Sequence, residues 1–470
     1  MWNRYFERVL AVEAPGGPAV RLSVVGPSVV RPGETFALKL AALDADGYPS
    51  RECESTAAVT HRGRTHEVVF QSGRPAVATL DGFSVHEPGF HRLAALLDGV
   101  MYPGNPIWCD AQTPRIFWGD PHVHTVLSDC HPDTCRSLDF CHIAARYLTG
   151  LDWVCAADHV STGRGSVGKW NAQRAAAAAF NDPPDFVTLL GYEASLVGGA
   201  GGDNNVYFAD DAPMWVDAYE GGDTRTLSEA LAEYDCILIP HHTTRTGKHG
   251  ELADRTYLGP ERMPAVEIHS KWGTGEYRGN PNPLGKVHPG PAYAQDLLCM
   301  GYPLGFVAGT DSHATMPSGY GREPSHVGRL PGLTAVRAPV LSRRAVYDAI
   351  KARNCYAVGG ERIIIDASIA GGRMGTEIGR PDPGAPRPFV ARVAAESQIL
   401  RIDVVRNRET VYSQEGDSWL AELEWEEALP LSDVLLPPAG YMTRPFVFYY
   451  LRVTTASGAQ AWTSPVWLVT

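Results

Sequence analysis

The stretch FWGDPHVHTVLSD (Phe117–Asp129) decides how the rest of the chain is read. An apolar run with strand character ends in a His-x-His pair, and an aspartate follows five residues later. Alternate side chains on a strand share one face, so His122 and His124 can present two imidazoles to one metal ion. A single such pair is weak evidence. Its weight comes from repetition downstream: LDWVCAADH (Leu151–His159), DFVTLLGYE (Asp185–Glu193), CILIPHH (Cys236–His242), AVEIH (Ala265–His269) and LGFVAGTDSH (Leu304–His313). Each is a buried-strand run that delivers His, Asp or Glu at its C-terminal end. In a barrel of parallel strands those ends share one mouth, so ligands from distant segments would converge there.

Residues 113–358 alternate such runs with helical patterns at 138–149, 169–180, 226–233 and 342–352. Alternating β and α patterning predicts a parallel sheet, here closed as a distorted barrel. TLSE (Thr226–Glu229) has the capping-box form that starts a helix. Gly- and Pro-rich residues 197–225 and 271–295 read as long loops that build or cover a pocket. Residues 1–112 and 359–470 carry short alternating runs between Gly, Pro and Asp turns, the pattern of β-sandwiches.

The ordered motifs also resemble the polymerase and histidinol phosphatase (PHP) superfamily, in the sequence HxH, SD, DH, strand-end Glu, PHH and GTDSH. GYEAS, NNVYF, IPHHT, AGTDSH, GLTAVRA and YDAIKARNCYAVGGERI are similar to its DUF3604 branch, related to carbaryl-hydrolase-like metallohydrolases. The resemblance implies an α/β fold: a distorted (β/α)7 TIM-like barrel at 113–358, between N-terminal (1–112) and C-terminal (359–470) β-sandwich domains. It implies metal ligands at His122, His124, Asp129, His159, Glu193, His241, Asp311 and His313. Glu193 would bridge two ions, and His242 is the alternative to His241. His269 could complete the set, although the superfamily pattern has a histidine nearer the position of Trp272. AVGGERI also departs from the ATTGERI form of the branch, with Arg362 in a salt bridge or on an anion.

Mixed His and carboxylate ligands suit two or three divalent ions of Zn, Mn or Fe, and hydrolysis follows from metal activation of water. Arg245, Lys248 and Lys271 are cationic candidates for a phosphoester. His249 and Glu276 are candidates to protonate a leaving group, with Arg245 assisting, and Asn205 is a candidate to orient substrate. The leading expectation is a phosphoesterase acting on a small organic phosphate. The alternative is a carboxylic ester, carbamate or amide hydrolase with an aromatic pocket drawn from Trp170, Trp215, Trp272 and Tyr277. A non-catalytic metal-containing binding protein is the third reading.

The chain has 470 residues, 44% of them hydrophobic, enough for more than one core. A formal charge of −12 argues against a nucleic-acid surface as a main feature and leaves a small molecule as the expected partner. The N-terminus lacks the apolar region of a signal peptide, and no window reaches a membrane span. Nine cysteines, an odd number, read as reduced thiols in a cytoplasmic protein. Cys130, Cys135 and Cys141, with His131 and His142 nearby, read as thiols packed beside the site.

Overall fold

A computed structural model describes residues 4–14, 16–159, 167–196, 201–212, 223–245, 256–285, 290–319 and 330–470. The first hundred residues form two facing antiparallel sheets. Arg21–Val25, Thr35–Leu43 and Val77–Ser84 make one, and Arg64–Val69, Thr56–His61, Ala94–Leu97 and Val100–Pro103 make the other. Side chains of alternating residues meet between them, with Leu22, Leu38 and Leu40 from the first sheet against Ala57, Val59 and Leu97 from the second.

The strand that opens the decisive stretch, Arg115–Val123, lies inside an eleven-stranded sheet. On one side it runs parallel to Trp153–Ala156, which runs parallel to Val187–Thr188. On the other it runs antiparallel to Gly332–Ala338, then Cys355–Gly359, then Gln460–Thr463. The same sheet continues through Phe446–Thr455 to Ile399–Arg406 and Glu409–Glu415. A separate antiparallel sheet of Ile364–Ser368, Arg387–Ala394 and Leu420–Glu427 closes over it. Ile364, Phe389, Ala391, Val393 and Leu423 meet Ile402, Val404, Val447 and Leu451 in the enclosed core.

The expected (β/α)7 TIM-like barrel is not the architecture. The described residues contain thirty strands and six α-helices, and the middle of the chain is largely antiparallel. The cause lies in segments whose apolar runs gave no direction. Gly202–Phe208, inside a stretch read as a loop, is a strand buried at every position. It pairs antiparallel with Leu190–Leu196 as the second arm of a hairpin, and antiparallel with Cys236–Pro240, which it reaches through the helix Thr224–Ala230, so antiparallel neighbours stand where parallel ones were expected. Ala265–Ser270 does run parallel to Gly305–Ala308. Several helices are single short segments, such as Leu138–Ile143, Thr224–Ala230 and Ala294–Cys299. The helix expected from Thr226 begins one turn earlier, because the Asp223 carboxylate accepts from Thr226 N (2.7 Å) and acts as its cap. No described helix is long and apolar enough to cross a membrane.

One buried titratable group sits away from the histidine cluster described below. The His142 ring stacks on Phe180 with centroids 4.9 Å apart, and its Nδ1–H donates to Leu138 O at 2.8 Å. Burial pushes its pKa down to about 4. A folded-state pKa below the unfolded value means that the unfolded chain takes up a proton the folded chain refuses. Stability is therefore complete above about pH 6.5 and declines as pH falls towards 4, by about 3 kcal/mol from this group. His142→Asn is expected to flatten that acid limb in denaturant titrations at a series of pH values.

Candidate metal centre

Backbone lacing brings the ends of distant strands together. Asp311 N donates to His122 O (2.8 Å) and His124 N to Ser312 O (3.0 Å). The buried Asp120 carboxylate accepts from His122 N, Thr310 N, Thr310 Oγ1 and Ser318 N at 2.6–3.0 Å. Burial raises this group to about 6, and the hydrogen bonds it accepts oppose that rise. Gly309 permits the close approach: a Cβ there would stand 2.6 Å from His122 Cβ and 3.0 Å from Glu267 Oε2. A parallel bridge between His159 and Glu193 adds the next strand end.

Two carboxylates form the centre of the resulting cluster. Glu193 Oε2 lies 3.1 Å from His159 Nδ1, 3.2 Å from His124 Nε2 and 3.6 Å from His122 Nε2, while Oε1 lies 3.0 Å from His241 Nε2. Asp311 Oδ1 is 3.0 Å from His124 Nε2 and 3.5 Å from His122 Nε2, and Oδ2 is 3.2 Å from His242 Nε2. His313 Nδ1 lies 3.7 Å from Asp311 Oδ1. Burial disfavours ionisation of both carboxylates, yet the surrounding imidazoles outweigh it and hold both well below the usual range. Burial likewise acts to lower His122 and His124, but the carboxylates leave both raised. For His242, burial prevails over Asp311 and its pKa falls. His122, His241 and Asp311 offer donor atoms within 4.8 Å of one another, as do His122, His124 and Glu193. Both members of the PHH pair take part, since Asp203, His241 and His242 form a further such group.

Around these donors stands a set of buried groups that hold them. His122 Nδ1 lies 3.1 Å from Glu267 Oε2. Asp158 accepts from Thr125 N (2.6 Å), Thr125 Oγ1 (2.8 Å) and Ser128 Oγ (2.6 Å), and Ser128 Oγ in turn meets His124 Nδ1 at 3.0 Å. Such contacts fix which ring nitrogen is free for a metal. Glu267→Gln is expected to weaken zinc affinity by about 10–100-fold in chelator competition, with the fold intact by circular dichroism.

Not all of the expected residues join the cluster. Asp129 is half exposed and ion-paired with Lys169. His269 turns away: its Nδ1 meets Thr274 Oγ1 (2.9 Å) and its Nε2 meets Leu330 O (3.1 Å). Glu276, expected as an acid, is held in the core by Tyr450 OH (2.6 Å), Arg452 Nη1 (2.9 Å) and Trp462 Nε1 (2.8 Å). Arg362 is buried on Thr149 O (2.8 Å) and serves the frame. Trp170 is core, donating to Ala212 O, and Tyr277 lies under Arg452. Asn205 is paired in register with Glu193, and its buried side-chain amide makes no hydrogen bond. Arg245 lies over Trp272, whose ring stands 5.7 Å from His242 and 5.9 Å from His313. Lys271 is buried beside it, with its backbone N–H on Thr310 O (3.2 Å). Lys248, His249 and Trp215 lie outside the described residues.

One donor was missed. Cys130 Sγ and nitrogens of His124, His159 and His313 all lie within 4.8 Å of one another. The neighbouring Cys135 thiol is the largest influence on the Cys130 thiol, which is held below its ordinary pKa.

No protein-family model matches the chain. It is 29% identical over 397 residues to an uncharacterized protein of Chlamydia pneumoniae, covering 82% of this chain and 62% of the relative. An uncharacterized protein of Chlamydia trachomatis serovar D is 34% identical over 253 residues, covering 52% of this chain and 40% of the relative. The chain thus spans less than two thirds of the length of these curated relatives. Among solved structures, a mutant Salmonella alpha-2-macroglobulin aligns with 96% of this chain and 23% of its own, at 10% identity and a TM-score of 0.17. That overlap is too slight to bear on fold or function.

Proposed function

We propose that the chain is a metal-dependent hydrolase whose ligand motifs are those of the polymerase and histidinol phosphatase superfamily, set in a β-rich frame. The observation that carries this reading is the state of two buried atoms. His122 Nε2 and Glu193 Oε2 make no hydrogen bond, although three imidazole nitrogens stand 3.1–3.6 Å from that carboxylate oxygen. Buried donor atoms left without hydrogen-bond partners among imidazoles and carboxylates suit cations between them, and a buried set of this kind is costly without them. Two or three divalent ions of Zn, Mn or Fe fit the mixed donors.

Bound ions supply Lewis acidity and the capacity to activate water near neutral pH. The chain's own residues do the rest. Glu193 and Asp311 would hold the cations and neutralise their charge, Glu267 and Ser128 orient His122 and His124, and Asp120 holds the loops that carry His122 and Asp311 in contact. The substrate class we favour is a small organic phosphate. Its support is the cationic pair beside the cluster, Arg245 over Trp272 and the buried Lys271. The same Trp272 face also suits an aromatic ester, carbamate or amide, which is the second reading. The odd cysteine count fits a reducing compartment, and we place the protein in the cytoplasm.

A matched nitrophenyl panel of phosphate mono- and diesters, carboxylic ester and carbamate, run beside metal analysis of the full chain, tests both. Phosphate turnover that a chelator abolishes and metal restores is the expected result. Ester or carbamate turnover alone would transfer the assignment to the second reading, and a metal-free, inert protein would overturn both.

A further inference from the structure

We infer that Cys130, and not Asp129, completes a thiolate–imidazole zinc site with His159 and His313, with His124 at its border with the carboxylate pair. The inference rests on reading the cluster as a metal centre and assigns one of its positions a softer donor than the others. The four donor atoms lie within 4.8 Å of one another. Ligand atoms around a tetrahedral zinc, with bonds of about 2.0–2.3 Å, stand roughly 3.3–3.8 Å apart, so only a small contraction separates this arrangement from coordination.

The loop that carries the thiol is built to present it. Asp129 adopts a left-handed conformation (φ 55°) and is ion-paired with Lys169, more than half exposed and on the outer side of the turn. Cys135 and Thr134 both reach the backbone of the opposite loop, Cys135 Sγ donating to His313 O at 3.2 Å and Thr134 Oγ1 to the same oxygen at 2.6 Å. Arg136 N donates to Thr315 Oγ1 at 2.7 Å. The turn bearing Cys130 is thereby fastened to the segment bearing His313. His131, the next residue, packs its ring on that of His313 with centroids 4.5 Å apart. The consequence is chemical asymmetry. A position with one sulfur and imidazole donors favours zinc, whereas the Glu193 and Asp311 position accepts harder ions such as Mn.

Cobalt(II) reports the donor set directly. The full chain, stripped with chelator and reloaded with cobalt(II), is expected to show the near-ultraviolet sulfur-to-cobalt charge-transfer band beside visible d–d bands. Cys130→Ser is expected to lose the charge-transfer band and keep visible bands from the remaining donors, and Cys135→Ser to keep both. Wild-type visible bands without charge transfer, or a band that survives in Cys130→Ser, would overturn the assignment and leave the hydrolase reading standing. Failure of the wild type to take up cobalt would overturn both. Should Cys130→Ser not fold, peptide mapping after iodoacetamide treatment of the wild type decides. Protection of Cys130 by cobalt supports the ligand role, and equal labelling with and without cobalt removes it.

Discussion

Glu193→Gln is expected to empty the centre. The substitution preserves size and removes the charge that four histidines face: His122, His124, His159 and His241 all lie within 3.6 Å of its oxygens. A neutral amide offers one acceptor and places an NH2 donor against imidazoles, where a carboxylate offered two negatively charged oxygens. Metal content should fall by one or more ions per chain. Turnover should drop on the order of 10³-fold, the scale seen when a single strong electrostatic stabiliser is lost. Elemental analysis and kcat/KM on the responsive nitrophenyl substrate measure the two effects separately. Wild-type metal content with wild-type turnover would remove Glu193 from the centre.

Glu276→Ala should instead strike stability. Its carboxylate is buried and serves three partners from the C-terminal sheet, Tyr450, Arg452 and Trp462. The Arg452 guanidinium retains Asp403 at 2.8 Å, but it loses a second counter-charge in a buried place. Truncating one member of such a network costs about 3–5 kcal/mol, because the others stay desolvated. Denaturant unfolding should show that loss. The pH profile of the protein that remains folded should keep its shape, whereas an enzyme deprived of its general acid would lose the basic limb. The latter outcome would restore Glu276 to the catalytic role its position in the sequence suggested.

These two glutamates show what the sequence allowed. Glu193 was legible because it closes an apolar run, as do His122, His124, His159, His241 and Asp311, and residue type with strand position was enough to group them. Direction was not legible. An apolar run has the same composition in a parallel or an antiparallel strand, and Gly202–Phe208 supplied the hairpin that displaced the expected barrel. Register was not legible either. The pairing of Ala265–Ser270 with Gly305–Ala308 shifts between Glu267 and His269. A bulge of that kind re-aims side chains, so Glu267 reaches His122 while His269 meets Thr274. Asp129 and Cys130 differ by one step along a loop, where no period says which side chain faces in. Asp120 and Asp158 stood in the quoted motifs, but their partners come from elsewhere in the chain, Thr310 for one and Ser128 for the other.

The continuous sheet also sets an order in time. The ligand-bearing strand Arg115–Val123 is bordered by Gly332–Ala338, which is bordered by Cys355–Gly359, which is bordered in turn by Gln460–Thr463. A ribosome adding about 5–20 residues per second needs roughly 8–30 s to travel from His313 to Thr463. Throughout that interval every residue of the cluster has been synthesised, while the strand Gln460–Thr463 of the sheet that frames them is not yet complete. The nascent chain thus carries the full set of histidines and carboxylates before it has the geometry that groups them.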